Sequence, residues 1–97
     1  MLQQLAIYFA DKPVKRAYLF GSVVRDEQMP GSDVDILVEL DYEHGADFYA
    51  FLDMQEQLSE LLGKKVDLVS ANGLSPLIKP HIDREKQLAY EKADFFG

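Results

Sequence analysis

Apolar and polar positions along the chain change period several times. Leu2, Leu5, Ile7 and Phe9 fit a short first helix loosely, and Asp11, Lys12 and Pro13 end it. Val14 to Phe20 is rich in β-branched and aromatic residues and runs straight into Gly21, which predicts a strand closed by a tight turn. One or two helical turns capped by Ser22 should follow, then a turn over Gln28 to Gly31. Asp33 to Leu40 is the clearest strand, with Ile36, Leu37 and Val38 expected to be buried on both faces. A polar loop spans Asp41 to Gly45.

From Ala46 to Leu62 the period becomes helical. Phe48, Phe51, Leu52, Leu58, Leu61 and Leu62 recur at spacings of three and four, and Gly63 is the expected stop. The stripe of Phe48, Phe51 and Leu52 is assigned to the core. Val66 to Val69 predicts a short strand, and Asn72 and Gly73 turn the chain. Ser75 and Pro76 suit a helix start; Pro80 predicts one turn, a break and a restart. Gln87 to Tyr90 completes the pattern as a last short strand.

Composition narrows the function classes. The 97 residues suit one domain over 1–97, and a 47% hydrophobic content with 28% charged residues is that of a folded globular chain. Seventeen acids against ten Lys and Arg give a formal charge of −7, which disfavours a nucleic-acid partner because no basic face offsets the phosphates. There is no cysteine and there are only two histidines, so a structural zinc site is not expected. Without a basic leader or an apolar run of about 20 residues, the chain reads as cytoplasmic and not as a membrane protein.

Candidate chemistry concentrates between Gly21 and Glu39, GSVVRDEQMPGSDVDILVE. Gly21 and Ser22 at a strand-to-helix junction offer backbone donors and a hydroxyl to a phosphate, although in isolation a turn glycine and a simple cap are much the commoner explanation of such a pair. Asp33 and Asp35 stand two apart at the head of a strand and would face the same way, so their charges call for a cation or a metal; charge on an exposed sheet edge is the competing explanation. Hard carboxylate oxygens suit Mg²⁺. Asp67, enclosed by Val66, Leu68 and Val69, is a third acid, and if its strand lies beside that of Asp35 the inventory suits a two-metal phosphoryl-transfer site. Arg25 is placed either to reach a phosphate or to pair with an acid. His44, His81, Lys64 and Lys65 read as surface residues, the lysines offsetting the preceding helix dipole.

Jointly these features resemble a family. A Gly-Ser pair, ten intervening residues, Asp-Val-Asp leading an apolar strand and a later Val-Asp-Leu-Val strand are similar to the nucleotidyltransferase superfamily that includes DNA polymerase beta. Arg25, Ser32, the helix over 47–62 and the GKKVDLV stretch narrow the resemblance to minimal nucleotidyltransferases (MNT), over roughly residues 14–90. Asp26 stands where the family often has glycine. The resemblance implies an α+β fold with a mixed sheet and helices packed against it. It also implies that Asp33 and Asp35 bridge two Mg²⁺ ions and that Asp67 ligates the ion beside the acceptor hydroxyl. Gly21 and Ser22 would then hold the β- and γ-phosphates, with Arg25 and Ser32 as further nucleotide-binding candidates.

The implied reaction is attack of a hydroxyl on the α-phosphate of a nucleoside triphosphate. At 97 residues no added acceptor domain is expected. Minimal members resemble antitoxins paired with a HEPN-type toxin, a ribonuclease, which implies AMP transfer from ATP to a toxin tyrosine. The alternatives are a non-enzymatic antitoxin that masks its partner, and a transferase acting on a small hydroxyl compound or an RNA end. Nucleotide base preference and homo-oligomerisation stay open.

Overall fold

In the computed structural model, residues 1–21 and 33–92 are described. The expected helix after Gly21, the turn over Gln28 to Gly31, and the candidates Ser22, Arg25 and Ser32 lie outside them. The described elements run α1 (Leu2–Phe9), β1 (Val14–Phe20), β2 (Val34–Leu40), a 3₁₀ turn (Tyr42–His44), α2 (Phe48–Leu62), β3 (Val66–Ser70), a 3₁₀ turn (Ala71–Gly73), α3 (Lys79–Glu85) and β4 (Gln87–Glu91). The strands form one mixed sheet in the order β3-β2-β1-β4. β1 pairs antiparallel with β2 and with β4, whereas β2 and β3 are parallel and are joined through α2. A parallel pair requires such a crossover, because a tight turn can only reverse the chain. The expected α+β architecture is the one observed.

Alternation along the strands sorts the sheet into two faces. Val34, Ile36 and Val38 of β2, Val66 and Leu68 of β3, and Ala17 and Leu19 of β1 are buried together with Leu5 and Phe9 of α1 and Met54 and Leu58 of α2. Each fully buried aliphatic or aromatic side chain here contributes about 1.5–3 kcal/mol, so this layer supplies most of the driving force. Leu37 is also buried but lies outside that cluster, as its odd position on β2 requires. The prediction that Ile36, Leu37 and Val38 are all buried therefore holds, one of them on the opposite face.

One helix departs from the sequence reading in which side chains it buries. α2 begins after Asp47, whose carboxylate accepts a hydrogen bond from the Ala50 amide at 2.7 Å, and ends at Gly63 with φ of 65°, the left-handed cap that glycine adopts without a Cβ clash. Its buried residues are Met54 and Leu58, with Phe51 and Leu62 packed against the same cluster. Phe48 is 68% exposed and Leu52 44% exposed, so the stripe assigned to the core is wrong at two of its three positions. At about 100° per residue Met54, Leu58, Phe51 and Leu62 fall within a sector of roughly 80°, and Phe48 and Leu52 lie beyond its edge. Before α3 the expected turn, break and restart are observed: the Ile78 and Lys79 amides close a turn on the Ser75 carbonyl, and the helix begins anew at Lys79 with Pro80 in its first turn, where a missing N–H costs no helical hydrogen bond.

Candidate active site

Gly21 closes β1 in a buried position with φ of 76°. Phe20 is in register with Asp35, so the chain leaves β1 directly against that carboxylate. A Cβ built on Gly21 would strike the Asp35 side chain, coming within 3.2 Å of its Cγ and closer still to Oδ2. Glycine is required here twice over, by the left-handed backbone and by the space taken by the carboxylate.

Across the sheet from Phe20, Asp35 pairs in register with Asp67 of the parallel strand β3. Paired residues on neighbouring strands share a face and lie about 4.8 Å apart in the hydrogen-bonding direction. Asp35 and Asp67 therefore form one row with Phe20, on the face away from the α1 and α2 core. Asp35 is half-buried on an inner strand and Asp67 exposed on the outer one. Because β2 is paired on both sides, edge protection does not account for its acids. Asp33 immediately precedes β2, is exposed, and lies 4.0 Å from the Lys65 ammonium. The sequence reading gave Lys65 only to the helix dipole and missed this charge at the strand head.

The donors fit a hard divalent cation in kind. All three acids offer carboxylate oxygens from the heads of adjoining strands, the ligand type Mg²⁺ prefers. The Gly21 backbone is close enough to Asp35 that a Cβ there would collide with the carboxylate. Among the described residues no three acidic or histidine side chains stand close enough to hold one ion between them. The fold thus brings Asp35 to Asp67 and leaves Asp33 at the margin beside Lys65.

Beyond the carboxylates the same face continues as a polar network that the sequence reading did not find. Tyr18, two residues before Phe20, donates to Glu39 at 3.1 Å, and Arg16 bridges Glu39 at 3.3 Å and Glu91 at 2.7 Å. Burial, and then the bond to Glu39, push the Tyr18 phenol above its ordinary pKa. Lys86 lies 4.3 Å over the Tyr18 ring, and Asp83 binds Lys79 at 2.7 Å and Lys86 at 2.9 Å; these bonds hold the Asp83 carboxyl below its usual range. α3 thereby overlies this face, leaving an open hollow of about 130 Å³ lined by Tyr18, Leu37, Glu39, Lys79, Asp83 and Lys86. Strict alternation from Asp35 through Leu37 to Glu39 was the available signal.

Comparison with known proteins places this arrangement. The model of the polymerase beta nucleotidyltransferase family matches residues 3–95. A candidate protein adenylyltransferase of Methanocaldococcus jannaschii is 43% identical over 72 residues, covering 74% of this chain and 75% of the relative. The protein adenylyltransferase MntA of Thermococcus cleftensis is 42% identical over 72 residues, covering 74% and 71%. The solved structure of a candidate minimal nucleotidyltransferase superposes with a TM-score of 0.76 at 32% identity, over 89% of this chain and 86% of that one. A complex of a tri-AMPylated HEPN toxin from Shewanella oneidensis with its MNT antitoxin shares the fold, with a TM-score of 0.64 at 21% identity over 95% of this chain and 74% of that one. With Gly21, Asp35 and Asp67 gathered at one end of a mixed sheet, and a family match running almost end to end, the chain belongs to the polymerase beta nucleotidyltransferase family, as a minimal nucleotidyltransferase.

Proposed function

We propose that this chain transfers AMP from ATP to a tyrosine hydroxyl of a HEPN-type toxin and so acts as its antitoxin. The observation that carries the reading is the registered pair Asp35 and Asp67 at the head of two parallel strands, with the Gly21 backbone pressed against Asp35. Support outside the molecule comes from the protein adenylyltransferase named MntA and from the AMPylated HEPN toxin held by an MNT antitoxin.

In this reading Asp33 and Asp35 would hold two Mg²⁺ ions, with Asp67 as a further ligand on the acceptor side. Bound there, the cations offset charge on the attacking and leaving oxygens. The Gly21 backbone, with Ser22, receives the β- and γ-phosphates, and Arg25 and Ser32 complete the nucleotide contacts. The tyrosine oxygen bonds to the α-phosphorus while the bond from that phosphorus to the bridging oxygen breaks. Pyrophosphate leaves with the electron pair, and the phenolic proton passes to water. Holding the acceptor and the triphosphate in line supplies much of the acceleration, because there is little covalent chemistry for the protein itself to do.

The test uses α-labelled ATP, Mg²⁺ and a purified HEPN-type partner, sought first in the gene adjacent to that of this chain. Wild type should label the HEPN protein on tyrosine and abolish its ribonuclease activity, and Asp35→Asn should do neither. Neutralisation by Asp35→Asn as complete as that by wild type, with no label transferred, would replace this reading with simple masking.

A further inference from the structure

The outward side of α2 carries a cluster of exposed apolar side chains. Phe48 and Tyr49 are 68% and 77% exposed, Leu52 is 44% exposed, and the two rings meet edge to face with centroids 6.2 Å apart. Positions three and four apart on a helix adjoin, so Leu52 extends the surface begun by both rings. Single exposed apolar residues are ordinary, but three adjoining ones on a helix whose other side already fills the core call for a partner. Aromatic side chains are also what the centres of protein interfaces concentrate.

Charge says what kind of partner. From Asp41 to Gly63 the sequence carries Asp41, Glu43, Asp47, Asp53, Glu56 and Glu60 and not one Lys or Arg. Asp53 and Glu56 follow Tyr49 and Leu52 by one helical turn and are exposed, so the apolar patch has an acidic border. A second copy paired through this patch about a two-fold axis would set these acids against themselves on a chain of charge −7. The complementary surface is an apolar pocket bordered by Lys and Arg.

The patch is separate from the carboxylate row. α2 covers the opposite face of the sheet, and its first turn follows the far end of β2, Leu40, which lies about 17 Å along the strand from Asp35 at the usual rise of ~3.3 Å per residue. An anchor at this distance raises the local concentration of the acceptor without touching the reacting atoms.

We propose that Phe48, Tyr49 and Leu52 form a docking surface for a protein that presents an apolar pocket bordered by basic side chains, and that this protein is the HEPN acceptor. The partner's identity rests on the function proposed above; the chemistry of the surface does not. The experiment compares wild type, Phe48→Ser/Tyr49→Ser and Asp35→Asn, measuring affinity for the purified HEPN protein by calorimetry, label transfer over a range of HEPN concentrations, and binding of Mg-ATP alone.

The double variant should bind HEPN at least tenfold more weakly, raise the KM for HEPN equally, and keep both its kcat at saturating HEPN and its Mg-ATP affinity. Asp35→Asn should bind HEPN as wild type does and transfer nothing. Wild-type affinity in the double variant, with wild-type transfer intact, overturns the docking surface and leaves the function standing. Self-association of wild type that the double variant abolishes, with HEPN affinity unchanged, assigns the surface to a second copy instead. If wild type neither binds nor labels HEPN, both the partner and the function fall.

Discussion

The two faces of β2 carry opposite chemistries on one seven-residue strand. Val34, Ile36 and Val38 enter the layer under α1 and α2 and are fully buried, whereas Asp35, Leu37 and Glu39 look toward α3 and the Asp67 row. The inner face holds the sheet and the helices together through apolar area. The outer face gathers charge that contributes little to folding and is costly to bring close together. A minimal chain can place its chemistry with so little scaffold because one rigid strand serves both purposes, each residue positioned by the packing of its neighbours on the other side.

Separating the faces is the sharpest test of this division. Asp35→Asn should cost on the order of 10³ in transfer rate, since several kcal/mol of charge stabilisation are at stake at about 1.4 kcal/mol per tenfold, while its thermal midpoint stays at or above that of wild type. Ile36→Ala, the next residue, should lose about 2–5 kcal/mol of stability in denaturant melts. At temperatures where it remains folded, it should keep most of its rate. A large loss of stability in Asp35→Asn would erase the distinction.

Gly21→Ala probes the point where the two faces meet. Its Cβ would strike the Asp35 carboxylate and its backbone is left-handed, so a loss of about 1–3 kcal/mol is expected, together with a transfer defect out of proportion to it. A melt unchanged from wild type would show that Asp35 moves aside at no cost.

The smallest effect concerns a charge cluster that supports folding alone. Asp41, at the far end of β2, is almost fully buried and accepts from His44 at 2.6 Å and Lys92 at 3.3 Å. The His44 bond, and secondarily Lys92, hold its carboxyl below the ordinary range against the opposing pull of burial. A depressed folded pKa stabilises above the unfolded carboxyl pKa and loses that contribution as pH falls through the folded value. Acid melts should therefore show wild type losing more stability on acidification than Asp41→Asn does. Parallel pH profiles for the two proteins would rule out this linkage.

Much of the fold was legible in local pattern. β1 was found end to end, β2 to within one residue and the α2 stop at Gly63, because strand composition and a left-handed glycine act over a few neighbouring residues. The role of Lys65 was not legible, since only the pairing of β2 with β3 brings it to Asp33. Nor was the hollow beside Tyr18, whose walls come from three separate stretches of chain.

The sequence by itself determined which groups this protein has to work with: Asp33, Asp35 and Asp67 at the heads of apolar strands, and a glycine at the end of the first strand. These follow from residue type and spacing, which are local. Tertiary structure decided the rest. Parallel registration of β3 on β2 made Asp67 the neighbour of Asp35, and the rotation of α2 against the sheet buried Met54 and Leu58 while turning Phe48 outward. Register and rotation are set by summed packing over the whole interface, where a shift of one residue or of part of a turn exchanges the buried set for the exposed one.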